Sequence, residues 1–290
     1  MRPFRKASLL LGISQTMTYV LLTLASLVTL APFYWLAVAA FKNKEDFFAY
    51  NFLPPGEGLF GVAWERLSLG NFTRIFTELD FANNILNSVF LASTTAVLST
   101  ITAAMGGYAL ARFEFRGRNL VLAVVLTALV IPAPLLLAPS YQLLYHLNLL
   151  DSYAGLLLPA VAPAFGVFLF RQTMLNSVPP SLIESARIDG CGELRTFFTI
   201  VLPLVRPMLG AYLMISFLGT WNNFINPQII LQDAEKFPLS VALASLQTAY
   251  RSEYGMITAG TLVSIAPVAL LFLLLQKEFI RGLTSGAVKE

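Results

Sequence analysis

Polar and apolar positions alternate in this chain over tens of residues, not over helical turns. Runs free of charged residues cover 7–41, 81–111, 119–150, 152–170, 207–232 and 254–276. Each can hold the roughly 20 apolar residues that an α-helix needs to cross about 30 Å of hydrocarbon. The pattern predicts six spans, at about 16–40, 84–111, 119–140, 152–171, 207–230 and 256–277. The third carries Pro132, Pro134 and Pro139 and the fourth Pro159 and Pro163, so both are expected to be kinked. Such breaks are tolerated in a bilayer only where neighbouring protein or water satisfies the freed backbone groups. The expected fold is all-α and integral to a membrane.

One short stretch, 181–201, breaks the pattern. Pro179-Pro180 prevent a helix from running on out of the preceding segment. Ser181 fits an N-cap, and Glu184 follows at the capping-box spacing. A first helix is predicted over 182–188, ended at Asp189-Gly190, where glycine can take the left-handed conformation. A second is predicted over 192–201, with Leu194, Phe197, Phe198 and Val201 at i, i+3, i+4 and i+7 and Pro203 as its stop. The pair is too short to span and too apolar for a solvated loop. Its stripe needs cover from the protein's own spans, from lipid headgroups or from a groove on a soluble partner.

Composition agrees with a membrane chain. Of 290 residues, 57% are hydrophobic and only 12% charged, against about a quarter charged in soluble domains; the mean hydropathy is +0.71. A net charge of +3 gives no reason to expect nucleic acid. Sorted by alternating sides, thirteen of the 19 Lys and Arg fall with the two termini, the 112–118 loop and the 171–206 insert, and six fall opposite. The positive-inside rule then places both termini and the 181–201 stretch in the cytoplasm. The run that follows Arg2, Arg5 and Lys6 is longer than the roughly 7–15 residues of a signal core, so an uncleaved first span is expected.

Catalytic chemistry is poorly supplied. The single histidine, His146, has no Cys, Asp or Glu at ligand spacing, and the single cysteine, Cys191, excludes an intrachain disulfide. There is no phosphate-binding G-x-x-x-x-G-K-[ST], no H-E-x-x-H, no C-x-x-C and no G-x-S-x-G. No catalytic residue, cofactor or metal site is expected. The span interiors hold no Asp, Glu, Lys or Arg, the groups that ion-coupled carriers use as relays. A transporter of this composition would draw its energy from another subunit.

Two polar clusters remain. Asn84, Asn87 and Ser88 lie near one face of the second span. They read either as hydrogen bonding between helices or as a wall of a hydrophilic path. Trp221, Asn222 and Asn223 end the fifth run. They read either as an interfacial helix end or as an indole and carboxamides able to stack on a sugar ring and bond its hydroxyls. Ala103, Ala104, Gly106 and Gly107 permit close helix packing, and Phe60, Trp64, Phe72, Phe76 and Phe81 suggest an aromatic belt.

Glu184-Ser185-Ala186, then Asp189-Gly190, then Ile200-Val201-Leu202-Pro203 resembles the E-A-A…G…I-x-L-P coupling motif of binding-protein-dependent ABC importer permeases. Asn87-Ser88, the 109–113 stretch ending in Arg112-Phe113, Trp221-Asn222 and the tail from Arg281 to Lys289 are similar to the carbohydrate-uptake branch, within it to the shorter six-span permease of the maltose permease G type. Ser185 and Cys191 depart from the usual alanines, but both are small. The resemblance covers nearly the whole chain. It implies the type I ABC importer permease fold, in the plasma membrane of a prokaryote, with 181–201 as coupling helices seated in a cytoplasmic ATPase. It implies as partners a second permease, two copies of the ATPase, an extracytoplasmic solute-binding protein, membrane lipid and a sugar or sugar derivative as cargo. The coupling residues would be Glu184, Ser185, Ala186, Asp189, Gly190, Leu194, Phe197, Phe198 and Pro203, with Leu194, Phe197 and Phe198 as anchors. Glu184 would either only cap its helix or also pair with a basic residue of the ATPase; the tail would reach the ATPase too. Asn84, Asn87, Ser88, Trp221, Asn222 and Asn223 would line the substrate pathway. Rival readings are a membrane scaffold that recruits a soluble partner, a permease of the same fold for a non-sugar solute, and an ion-coupled carrier.

Overall fold

The computed structural model describes residues 3–249 and 253–284, with side-chain surroundings over 15–247 and 253–277. In chain order the helices are α1 (Pro3–Ala40), α2 (Lys44–Ala49), α3 (Gly70–Glu78), α4 (Phe81–Arg112), α5 (Arg118–Val130), α6 (Leu137–His146), α7 (Tyr153–Ala160), α8 (Ala164–Ser177), α9 (Pro180–Ile188), α10 (Glu193–Thr196), α11 (Leu202–Leu204), α12 (Arg206–Trp221), α13 (Ile225–Ile230), α14 (Leu239–Ala249) and α15 (Tyr254–Thr284). Among the described residues there is no β-strand, only isolated bridges at Lys42–Leu67 and Pro55–Val62.

Gln15–Ala40, Phe81–Arg112, Tyr153–Ser177 and Tyr254–Lys277 are each long and apolar enough to cross a membrane. Two bent pairs pass the same test: Arg118–Val130 with Ala133–His146, bent by 103°, and Glu193–Leu204 with Arg206–Trp221, bent by 85°. The first bend sits where Pro132 and Pro134 fall, because proline removes a helical donor and crowds the preceding turn. The α7–α8 break likewise holds Pro163, extended at ψ 115. The predicted 207–230 span differs from the structure: α12 stops at Trp221 and the chain restarts as α13.

The chain divides into two compact units, Met1–Leu79 with Leu246–Val263, and Asp80–Ser245 with Ser264–Glu290. In the first, Asn71 donates from Nδ2 to the carbonyls of Ala40 and Lys42, at 2.9 Å each. Glu253 pairs with Lys44 and Arg74, both at 3.2 Å. Of the expected aromatic belt, Phe60, Trp64 and Phe76 are exposed, while Phe72 packs on Phe41 at 5.0 Å. In the second unit Phe81, also expected in the belt, is buried.

The second unit is built on α4, whose Ala-, Ser- and Thr-rich face packs against α8 and α12. Ala103 and Ala104 are fully buried there. A Cβ on Gly107 would come within 2.7 Å of Phe170 Cβ and of the Arg171 nitrogen. Small residues thus let the backbones of α4 and α8 approach closely, as their size predicts. One apolar cluster joins Tyr108 and Ala111 of α4 to Phe170 and Met174 of α8, Ile183 of α9, Phe197 and Val201 beyond α10, and Tyr212 of α12.

Candidate functional site

The helices between α8 and α12 form a knuckle fixed at both ends by local chemistry. Pro179 is extended and Pro180 is the first helical residue of α9. Proline at that position needs no amide partner and is already set to a helical φ. Helix therefore starts two residues earlier than the capping pattern predicts. Ser181 lies inside the first turn, no side chain caps α9, and Glu184 is not a capping-box partner. Ser181 instead offers its carbonyl to Ser185 Oγ at 3.0 Å. Glu184 and Ser185 are exposed and Ala186 is buried.

The end of α9 is a Schellman turn. Gly190 has φ +74, its amide donates to the Arg187 carbonyl at 3.0 Å, and the Cys191 amide donates to the Ala186 carbonyl at 2.9 Å. This is the pattern that closes helix carbonyls through a left-handed glycine, and it turns the chain directly into α10. Asp189 sits exposed at the cap position. Glu193, the first residue of α10, then ties the pieces together. Its carboxylate accepts from Arg187 Nε at 2.7 Å and from Tyr108 Oη of α4 at 3.1 Å. The Glu193 hydrogen bond and charge hold the Arg187 guanidinium above its ordinary pKa.

Beyond α10 the backbone widens into a π turn over Phe197–Val201, in which the Leu202 amide reaches back to the Phe197 carbonyl. Pro203 has no amide to offer the preceding turn. It does not stop the helix as predicted: helical structure runs to Leu204, and the 85° bend follows at Val205. The predicted stripe is divided by this geometry. Phe197 is 2% exposed and packs on Tyr108 at 5.4 Å, so it is a core residue and not a free anchor. Leu194 and Phe198 are 66% and 51% exposed, and Ile188 at the end of α9 is 86% exposed. Periodicity singled out the first two; Ile188 lies on another helix, out of register with the stripe, and its exposure was not legible from that stripe.

The outer polar cluster ties α4 to the chain that leads into α14. Asn84 Nδ2 donates to the Phe237 carbonyl at 2.9 Å, and Asn87 Nδ2 to the Glu235 carbonyl at 2.8 Å. Ser88 Oγ accepts from the Leu239 amide at 2.7 Å. These side chains hold the segment before α14 against α4. Asp151, which the sequence reading missed, fastens the same segment: it accepts from Lys236 Nζ at 2.6 Å and from the Gln232 and Asp233 amides at 2.9 and 3.0 Å. The lysine and amide bonds hold its carboxyl down at a pKa of about 2. A lone carboxylate between two apolar runs was the available signal.

Inside this arrangement lies a cavity of about 570 Å³, lined by Ser88, Leu91 and Thr95 of α4, Tyr141 of α6, Thr220, Asn223, Asn226 and Pro238 among others. None of the side chains that line it is charged. Ser88 and Asn223 of the expected pathway meet here. Trp221 does not: it is 6% exposed and stacks on Phe217 at 5.6 Å. Asn222 donates to the carbonyl one turn back, Leu218. Among the described residues no group of His, Cys, Asp and Glu is placed to hold a metal ion. The Ser285–Lys289 part of the tail motif lies outside the described residues.

Residues 102–284 match the family model described as binding-protein-dependent transport system inner membrane component. The arabinooligosaccharides transport system permease protein AraQ of Halalkalibacterium halodurans is 42% identical over 224 residues, 77% of this chain and 80% of that protein. The sn-glycerol-3-phosphate transport system permease protein UgpE of Pectobacterium atrosepticum is 34% identical over 278 residues, 93% of this chain and 95% of that one. In fold, the chain is similar to a crystal structure of a bacterial ABC transporter involved in the import of the acidic polysaccharide alginate, with a TM-score of 0.77 at 23% identity over 92% of this chain and 97% of that one.

Proposed function

The chain belongs to the family of binding-protein-dependent transport system inner membrane components, and from that premise we propose a neutral sugar as its cargo and the knuckle as its contact with the ATPase that drives it. It is a permease subunit of an ABC importer and not an enzyme. The observation that carries the ATPase contact is the pairing of a rigid turn with an uncovered apolar set. The Schellman turn at Gly190 presents Ile188, Leu194 and Phe198 outward, while Ile183, Ala186 and Phe197 anchor the other side in the core. Exposed apolar groups backed by a packed scaffold are what helix-in-groove recognition uses. In the assembled importer the knuckle sits in a cleft of one of two cytoplasmic ATPase subunits. A second permease completes the path, and an extracytoplasmic binding protein delivers the solute. The excess of Lys and Arg on the side of the knuckle supports a cytoplasmic position for it and for both termini.

The mechanism needs no chemistry in this chain. Closure of the ATPase pair moves the knuckle, and the bundle built on α4 moves with it. Hydroxyl and carboxamide groups in an uncharged cavity replace the water bonds of a polyhydroxylated solute at little cost, and a charged solute would lose its hydration there without a counter-charge. That favours a sugar over the second reading, a phosphorylated polyol, which rests on the likeness to the sn-glycerol-3-phosphate permease. Reconstitution of the chain with its partner permease, ATPase and binding protein in liposomes tests both. ATP-dependent accumulation of an arabinooligosaccharide supports the sugar reading, and accumulation of sn-glycerol-3-phosphate supports the second. Recruitment of the ATPase with no flux of any solute would make the chain a scaffold, and gradient-driven uptake by this chain alone would overturn the importer reading.

A further inference from the structure

Two residues of α4, one helical turn apart on one face, hold the knuckle at two places. Arg112 donates from Nη2 to the carbonyls of Met174 and Val178, where α8 ends and the chain enters Pro179-Pro180. Tyr108 donates to Glu193, where the chain leaves the Schellman turn. Glu193 also holds Arg187 of α9. The entry to α9, its last turn and the start of α10 therefore all hang from one transmembrane helix. The covalent way out of the knuckle is a poor lever by comparison, because it passes through a π turn and an 85° bend before α12 begins.

Stability alone gives little reason for this arrangement. Arg187 and Glu193 are each close to half exposed, and an ion pair in water adds little to the folded state. What the carboxylate supplies is geometry. One oxygen is committed to α9 and the other to a buried tyrosine of α4. We infer that Glu193, held between Arg187 and Tyr108, is a positioning residue that carries movement of the docked knuckle into α4 and so into the transport bundle. This rests on the reading of the knuckle as the ATPase contact. It adds that contact alone is not enough: without the Glu193 link the ATPase binds and turns over while the spans stay behind.

The test separates docking from transmission. The parent protein carries Cys191→Ser and Ser140→Cys, which leaves a single thiol at the cavity. It is assembled with partner permease and ATPase in liposomes, and the rate of maleimide labelling is measured with and without magnesium-ATP and vanadate. Coupling between distant sites is commonly about fivefold or more, and a change of that size is expected in the parent. Glu193→Ala and Tyr108→Phe should keep ATPase content and ATP hydrolysis near the parent level and reduce the labelling change to less than twofold. Glu193→Gln keeps one acceptor oxygen and turns an NH2 group towards the second donor, so it can hold Tyr108 or Arg187 but not both, and it should also lose most of the change. A full labelling change in Glu193→Ala or in Tyr108→Phe overturns the inference. Loss of the ATPase from both variants overturns it as well, since Glu193 would then serve docking or folding. No labelling change in the parent would remove the importer reading itself, and the inference with it.

Discussion

Arg112 of α4 closes the end of α8 by donating to the carbonyl of Val178, with a second bond to Met174 at 2.8 Å. The last carbonyls of a helix have no partner within it, and here a guanidinium from a neighbouring helix supplies one. Arg112→Ala should cost about 1–3 kcal/mol, the penalty for leaving such groups unsatisfied. Both bonds come from one nitrogen, so a lysine ammonium on its more flexible stem should restore part of the loss. Melting temperature of the purified protein, and proteolysis near residues 178–180, would show it; an unchanged melting curve would remove the structural role of this bond.

At Gly190 the backbone, not space, sets the requirement. A Cβ there would meet nothing within 4 Å, yet φ is +74. Gly190→Ala should therefore cost about 1–2 kcal/mol as left-handed strain, and Gly190→Asn less. Gly190→Pro also removes the amide that bonds the Arg187 carbonyl and forces a negative φ. Membrane insertion should survive and ATP turnover stimulated by the binding protein should not.

Two adjacent phenylalanines should separate folding from docking. Phe197→Ala empties a core site and should cost about 3–5 kcal/mol of stability. Phe198→Ala, being exposed, should change stability by no more than about 0.5 kcal/mol and weaken ATPase binding by about tenfold, as at interface hot spots. Titration of the ATPase onto liposomes holding each variant decides the matter; equal effects on both measurements would dissolve the distinction.

Trp221 and Asn223 should likewise part company. Trp221→Ala should lower the yield of assembled protein, with transport per assembled complex unchanged, because the indole is packed on Phe217 and does not line the cavity. Asn223→Leu should leave assembly intact and reduce sugar accumulation, since it removes polar groups from the cavity wall. Normal accumulation in Asn223→Leu would take the cavity out of the pathway.

The Asp151–Lys236 clasp has a defined pH window. The folded Asp151 carboxyl lies at about 2 against an ordinary 3.8, so its contribution is complete above pH 4 and lost as pH falls towards 2. Lys236 is raised from 10.5, so its contribution is complete below that value and lost as pH rises through the higher folded one. Between these limits the clasp should be insensitive to pH. Hydrogen exchange at the Gln232 and Asp233 amides should follow the acid limb, and Asp151→Asn should abolish that limb.

Much of this protein was legible along the chain because membrane insertion is decided by local composition. Long apolar runs without charge, prolines that break them and the glycine that ends α9 each act within a few residues, and each left a mark in the sequence. The E-A-A-like motif named the family for the same reason. What the sequence misread depended on neighbours. Ser181 was read as a cap because the spacing to Glu184 fitted, but Pro180 had already begun the helix. Phe197 was read as an anchor because it kept period with Leu194 and Phe198, but Tyr108 and the apolar cluster around it took it inward. Asn84 and Asn87 offered hydrogen bonds whose recipients, the carbonyls of Glu235 and Phe237, lie about 150 residues away and have no side-chain signature at all.

The sequence by itself determined a membrane-embedded helical permease with a helix–turn–helix knuckle, because burial in lipid and a left-handed turn are properties of short stretches. Only the tertiary structure decided which way each side chain of that knuckle faces and what holds it. Tyr108, Arg112, Arg187 and Glu193 come together through the packing of α4 against α8 and the turn at Gly190. A hydrogen bond depends on position in space, and position in space is fixed by packing between segments that the order of residues keeps apart.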